Sequence, residues 1–326
     1  MCKLLRGVII VLFVLLTGQL AMAVSFDFVV ALDGSGNFTS IQKAIDACKA
    51  FPDHRISIFV KNGTYKEKLV VPSCNTQLSI VGESPEKTVI TYDDYFDKIN
   101  RGRNSTFYTY TMKIEANDFR LENITVENAA GPVGQAVALH VEGDRCVFFN
   151  CRIIGNQDSV YAAGYYSRQY FLNCYVEGTT DFIFGEATSV FENCTIHCKS
   201  DSYITAASTP EGKSFGFVFL NCKITAAPGV SKVYLGRPWR IYAKTAFLNC
   251  EMGGFICPEG WHNWSKPESE KKVVYAEYNN TGEGALNSNR VLWSVKLSKR
   301  EASFYTREKI FASLRHEKIR GKKWYE

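Results

Sequence analysis

No stretch of this 326-residue chain holds enough consecutive apolar residues to cross a bilayer. The run Val8–Leu16 has nine, against the roughly 20 a spanning helix needs. The five histidines fall in no metal-ligand spacing. Cys194-x-x-x-Cys198 lacks the second pair that a zinc site requires. No glycine-rich loop is placed to cradle a phosphate, and outside the C-terminal tail no basic cluster interleaves with aromatics, which argues against nucleic acid as a partner. Gly212-Lys-Ser214-Phe-Gly216 matches the Gly-x-Ser-x-Gly pattern of serine hydrolases, but that motif needs a strand before it and a helix after it. Here Thr209-Pro210-Glu211 precedes and the strand-like Phe217–Leu220 follows, so Ser214 is not expected to be a nucleophile. No low-complexity linker divides the chain, and a single domain is expected.

The N-terminus joins Lys3 and Arg6, the short apolar run and Ala21-Met22-Ala23, the order of an export signal with a small-residue cleavage site. Residues 1–23 are read as that signal and 24–326 as the mature domain, secreted or periplasmic, with no membrane association after cleavage. Removing the two basic residues lowers the formal charge from +5 to +3. Such a small excess tolerates a polyanionic substrate.

What the chain has in abundance is one repeated phrase. Asn150-Cys151, Asn173-Cys174, Asn193-Cys194, Asn221-Cys222 and Asn249-Cys250 each follow an apolar, aromatic-rich stretch, and Asn123-Ile124 is a sixth copy without the sulfur. Repeats 20 to 28 residues apart mark a solenoid, whose units bury their apolar faces only by stacking. Each unit reads as short strands such as Val218–Ile224. The fold predicted is therefore all-β, a parallel β-helix. The stretch from Thr39 to Cys48 has apolar residues at helical spacing and Thr39 or Ser40 as N-cap, a helix suited to cover the open first coil. Residues 93–105 read as an irregular polar loop, and Phe304 to Glu326 as a weakly helical cover for the last coil. The ladder cysteines read as stacked core residues, with Cys151–Cys174 the pair placed to bridge in an oxidising compartment.

Counting eight residues on from Asn150 and Asn173 reaches Asp158 and Asp181. Equivalent positions on successive coils lie about 4.8 Å apart, so these two carboxylates are expected one above the other. Asp201 follows Asn193 by the same offset and stays a third candidate. Two acids so close cannot both ionise comfortably, which favours one protonated acid and one carboxylate, the division that acid–base and nucleophilic catalysis requires. A pair of solvated turn aspartates is the competing reading.

Gly63-Thr-Tyr-Lys-Glu67, Gln135-Ala-Val-Ala-Leu139, Gln157-Asp-Ser-Val-Tyr161, Gly178-Thr-Thr-Asp-Phe-Ile-Phe-Gly185 and Leu235-Gly-Arg-Pro-Trp239, in this order, resemble the motifs of the pectinesterase (pectin methylesterase) family. The resemblance spans nearly all of the mature chain. It implies a single-stranded right-handed parallel β-helix of the pectin-lyase-like kind, acting without metal or organic cofactor on methyl-esterified polygalacturonate. By resemblance Asp181 is the nucleophile, Asp158 the general acid and then base, Gln135 and Gln157 the oxyanion donors, and Arg237 the arginine that binds the nucleophile. Trp239, Phe182 and Tyr161 are the implied cleft aromatics, and Thr106 the implied substrate contact.

Ser159, Val160, Thr180 and His140 depart from the usual residues while keeping polarity or volume. The inhibitor-like pro-region of many plant members is not expected, because signal and catalytic domain nearly abut. Glu67 reads as a structural turn or cap. Trp261 and Trp264 are open between cleft wall and packing. A monomer is expected. A glycosidase using the same acids, an esterase on another carbohydrate ester and a non-catalytic binding solenoid are the alternatives to be separated.

Overall fold

The structure, a computed structural model, describes residues 25–286, 289–312 and 323–326. The proposed export signal, residues 1–23, lies outside the described residues. Among the described residues every strand belongs to one of three sheets, of eleven, eight and seven strands, and every strand pairing is parallel. Strands adjacent in a sheet come from successive turns of the chain, for example Cys146–Phe149, Arg168–Leu172, Thr188–Glu192, Phe217–Leu220 and Lys244–Leu248 in the largest. This is a parallel β-helix.

The recurring asparagine is explained by the corner it occupies. Asn123, Asn150, Asn173, Asn193, Asn221 and Asn249 all have φ between 51° and 55°, a left-handed conformation that asparagine tolerates better than most residues. Each sits where the chain leaves the eleven-stranded sheet for the eight-stranded one. The side chains chain together at least in part: Asn150 Nδ2 donates to Asn123 Oδ1 at 2.7 Å, and Asn279 Nδ2 to Asn249 Oδ1 at 2.9 Å. Asn279 (φ 49°) is a seventh rung.

The residue after each corner points inward. Cys151, Cys174, Cys194, Cys222 and Cys250 are buried, and each thiol points at a carbonyl of the preceding coil, as Cys174 does at Phe148 O (3.4 Å). All ten cysteines in the described residues are free, so the suggested Cys151–Cys174 bridge is not formed. Thiols on parallel, in-register strands point the same way rather than at one another. Beside them Phe148, Phe171, Phe191, Phe219 and Phe247 form a stack with centroids 4.3 to 4.8 Å apart. Burying each ring is worth about 1.5–3 kcal/mol, so this stack is a main source of cohesion between coils.

The first coil is covered by the helix Ile41–Asp46, whose buried Ile41, Ala44 and Ile45 face the core. Ser40 caps it by accepting from Lys43 N. Glu67 accepts from Ile41 N, Gln42 N and the Ser40 hydroxyl, which satisfies donors that a helix start leaves orphaned. Glu67 is thus a cap.

Two expectations are corrected. Residues 93–105 are not irregular: they hold a helical turn, Phe96–Ile99, and lead into a 3-10 helix, Gly102–Tyr108. Buried Asn128 pins this segment, its Nδ2 donating to Asp94 O, Thr109 O and Val137 O. The described part of the C-terminal segment covers the side of the solenoid, where an end cap was expected. Its helical turns, Lys299–Ala302 and Arg307–Ile310, are short, and Ile310, Phe311 and Tyr325 pack on Val147, Tyr170, Val190 and Val218. Those side chains form the outer face of the largest sheet, whose alternate residues are apolar on both faces and so need a cover.

Candidate active site

The chain turns into the seven-stranded sheet at Asp158 and again at Asp181. Val160 pairs with Ile183, Asp158 N donates to Thr180 O at 3.1 Å, and Gln135 bridges Gln157 in parallel. The two acids therefore hold the same position on neighbouring coils, and the two glutamines do likewise one step before. Both aspartates have left-handed backbones, φ 67° and 49°, a conformation uncommon outside glycine and typical of functional turns.

The Asp181 carboxylate is held by Arg237. Nε donates to Oδ1 at 2.9 Å and Nη2 to Oδ2 at 2.6 Å, the bidentate geometry of strong charge-assisted pairs. The guanidinium lies between the rings of Tyr203 (4.0 Å) and Trp264 (3.7 Å), which fixes its plane. Arg237 N donates to Thr205 O, so its backbone is anchored to the coil directly above that of Asp181. By contrast the Asp158 carboxyl has no hydrogen-bond partner among the described residues, although both aspartates are buried.

This asymmetry sets the proton. Burial pushes Asp158 well above the ordinary carboxylate range and the charge of Asp181 adds to the rise, with Arg237 opposing. Burial also raises Asp181, but the hydrogen bonds and charge of Arg237 pull it back. The proton is therefore favoured on Asp158 and the negative charge on Asp181, its neighbour on the next coil. Gln135 and Gln157 are half-buried and neither amide is tied to a protein partner among the described residues, which leaves both free to donate to a ligand.

The wall of the groove is aromatic. Tyr161 stacks on Phe184 at 4.6 Å, with Phe107 at 5.1 Å and Trp239 at 6.5 Å. Thr106 is mostly buried in the 3-10 helix that carries Phe107. Beyond Trp239 opens a cavity of about 590 Å³ bordered by Glu186, Pro210, Arg240 and Lys266.

Phe182 is not a groove residue, against expectation. It is fully buried in the main core. A side chain on Gly178 would stand 2.2 Å from Phe182 Cβ, so glycine there leaves room for the ring to turn inward. The corner at Asp181 sends both Phe182 and Ile183 inside, while Phe184 turns to the groove side and, itself buried, backs Tyr161 and Trp239. Phe184 was legible: the 23-residue interval that pairs Asp158 with Asp181 also pairs Tyr161 with Phe184. Asp201 leaves the site as well. Gly178 pairs with Cys198, but Ile183 pairs with Thr205, so two extra residues enter the turn and Tyr203 takes the register position of Asp181. Asp201 is exposed and caps a loop, accepting from Ser231 N and Lys232 N.

The two open tryptophans separate. Trp261 is core, stacked on Tyr275 at 4.3 Å with Nε1 donating to Glu277, while Trp264 holds Arg237. Tyr203, which sandwiches Arg237 from the other side, had no sequence signal beyond its place in the repeat. Ser214 is exposed in a loop with no helix after it. Among the described residues no three His, Cys, Asp or Glu side chains converge as a metal site.

A carboxylate pair with one partner clamped by arginine, set in an aromatic-walled groove along a parallel β-helix, has the parts of a hydrolase that uses acid and carboxylate chemistry. The comparisons make this specific. Residues 27–313 match the family model described as pectinesterase. Pectinesterase 31 of Arabidopsis thaliana is 40% identical over 85% of this chain and 89% of its own length. Other Arabidopsis relatives are longer, and the chain spans about half of their length. Among solved structures, the pectin methylesterase from carrot superposes with a TM-score of 0.84 at 33% identity, covering 90% of this chain and 95% of its own. A pectin methylesterase crystallised with a hexasaccharide gives 0.78 at 27% identity, over 89% and 98%. The chain belongs to the pectinesterase family.

Proposed function

We propose that this chain hydrolyses the methyl esters of homogalacturonan, with Asp181 as nucleophile, Asp158 as acid and base, and Gln135 and Gln157 as oxyanion donors. The observation that carries the reading is the unequal treatment of two stacked aspartates, one clamped by Arg237 and one left without a partner. An oxygen of Asp181 attacks the ester carbonyl, and the negative charge that develops on the carbonyl oxygen is met by the free amides. The C–O bond to the methoxyl breaks as Asp158 gives it a proton, releasing methanol and leaving an acyl-enzyme anhydride. Asp158, now a carboxylate, takes a proton from water. The resulting hydroxide attacks the sugar acyl carbon, Asp181 departs as an anion, and the product leaves as the galacturonic acid, which gives its proton to solvent to become galacturonate. Arg237 orients Asp181 and steadies it in both anionic states, and Tyr161 and Trp239, backed by Phe184, offer apolar faces for sugar rings.

The substrate class is supported by family membership and by the relative crystallised with a hexasaccharide. Export is supported by the sequence of residues 1–23. The test is methanol release from highly methylated pectin by the wild type and Asp181→Asn, with reducing ends assayed alongside. Methanol without new reducing ends, lost in the variant, is the expected result. Equal rates in the two proteins would refute the nucleophile, and new reducing ends would favour a glycosidase.

A further inference from the structure

Away from the catalytic pair, Tyr165 and Tyr166 stand 48% and 69% exposed in the turn that follows the strand Val160–Ala162. Their rings meet edge to face, 4.6 Å apart at 66°. Lys213 Nζ lies over both, 5.1 Å and 5.2 Å from their centroids, and it makes no ion pair or hydrogen bond with a protein group among the described residues. Two adjacent exposed aromatics are unusual on a surface without a partner. Asp144 and Glu186 act on this ammonium only through their charge, so it keeps its hydrogen-bond donors for an anion.

The corner is continuous with the groove. Gly164 N, immediately before Tyr165, donates to Glu186 Oε1 at 2.9 Å. Glu186 lines the cavity beyond Trp239, and so do Thr209, Pro210 and Glu211, the residues that lead into Lys213. A polymer seated at Asp181 and running past Trp239 through that cavity reaches the tyrosine corner next. The corner's chemistry suits one kind of sugar, a pyranose with an apolar face for a ring and a carboxylate for the lysine.

We infer that Tyr165, Tyr166 and Lys213 form an outlying subsite for a de-esterified galacturonate of the same polymer whose ester lies at Asp181. The inference rests on the proposed activity and adds which end of the polymer's charge pattern the protein holds. The site works through effective concentration, tethering the reacting segment by a stretch already hydrolysed. Its contribution is therefore confined to chains long enough to span both places.

The test compares the wild type with Tyr166→Ala/Lys213→Ala on partially de-esterified pectin and on methylated trigalacturonate, with polygalacturonate as inhibitor. The expected result is a KM for the polymer raised on the order of three- to tenfold, the range of one lost cation–π and stacking contact. Inhibition by polygalacturonate weakens by a similar factor, and kcat and KM on the trimer stay as they are. Equal changes on polymer and trimer, or none on either, would overturn the subsite. So would a variant that alters only self-association in sedimentation, which would make the corner a contact between copies. Absence of methanol release by the wild type from both substrates would count against the activity itself, separately from the subsite.

Discussion

Replacing Arg237 with alanine removes three hydrogen bonds and the positive charge from a carboxylate that is only 7% exposed at its side chain. Leaving one member of a buried ion pair uncompensated costs about 3–5 kcal/mol. Asp181 answers by taking up a proton, because the guanidinium's hydrogen bonds and charge are what oppose the rise due to burial. Each unit of pKa corresponds to about 1.36 kcal/mol, so a loss of about 3 kcal/mol moves the ionisation of Asp181 up by roughly 2 pH units. The acid limb of kcat/KM for methanol release shifts to higher pH by that amount in Arg237→Ala, and the rate at neutral pH falls with the ionised fraction. Arg237→Lys keeps a charge but loses the bidentate fork and the stacking between Tyr203 and Trp264, and its shift is smaller. The assay is a pH–rate profile of methanol release for the three proteins. An acid limb at the same pH in wild type and Arg237→Ala would refute the claim that Arg237 keeps Asp181 ionised.

Asp158→Asn abolishes turnover yet stabilises the fold at neutral and alkaline pH. The folded-state pKa of Asp158 is raised, so the favourable protonated form is fully present below the unfolded value near 3.9 and its contribution is lost as pH rises through the folded pKa. Thermal unfolding followed from pH 4 to 9 therefore shows a smaller decline in Tm for the variant than for the wild type. Gln157→Ala lowers kcat by about 10²–10³ with little change in KM, the signature of a donor used in the transition state, read by steady-state kinetics on pectin. Phe182→Ala costs about 3–5 kcal/mol of stability because the ring is in the core, whereas Trp239→Ala raises KM and leaves stability nearly unchanged. Denaturant unfolding of the two variants separates these roles.

The repeat and its two acids were readable because both are set by backbone geometry that the sequence records directly. A left-handed corner every coil selects asparagine, and a constant offset from that corner carries Asp158 and Asp181 into register. Where the offset changes, counting fails, as it does at Asp201 after two residues enter the turn. Alternation fails at the same corners, which is why Phe182 reads as a groove residue and is core. Arg237 lies 56 residues after Asp181, and nothing local connects the two. Its partnership came from a motif, and its aromatic sandwich of Tyr203 and Trp264 only from the coordinates. The tail over the outer sheet was missed because a strand apolar on both faces reads the same as one buried in a core.

The proposed mechanism depends on a single proton, resident on Asp158 while Asp181 stays charged. Infrared difference spectroscopy between the wild type and Asp158→Asn at neutral pH reads it directly. The expected result is a protonated-carboxyl carbonyl stretch in the wild type that the variant lacks and that gives way to a carboxylate band as pH is raised. A difference spectrum at neutral pH containing only carboxylate bands would contradict it.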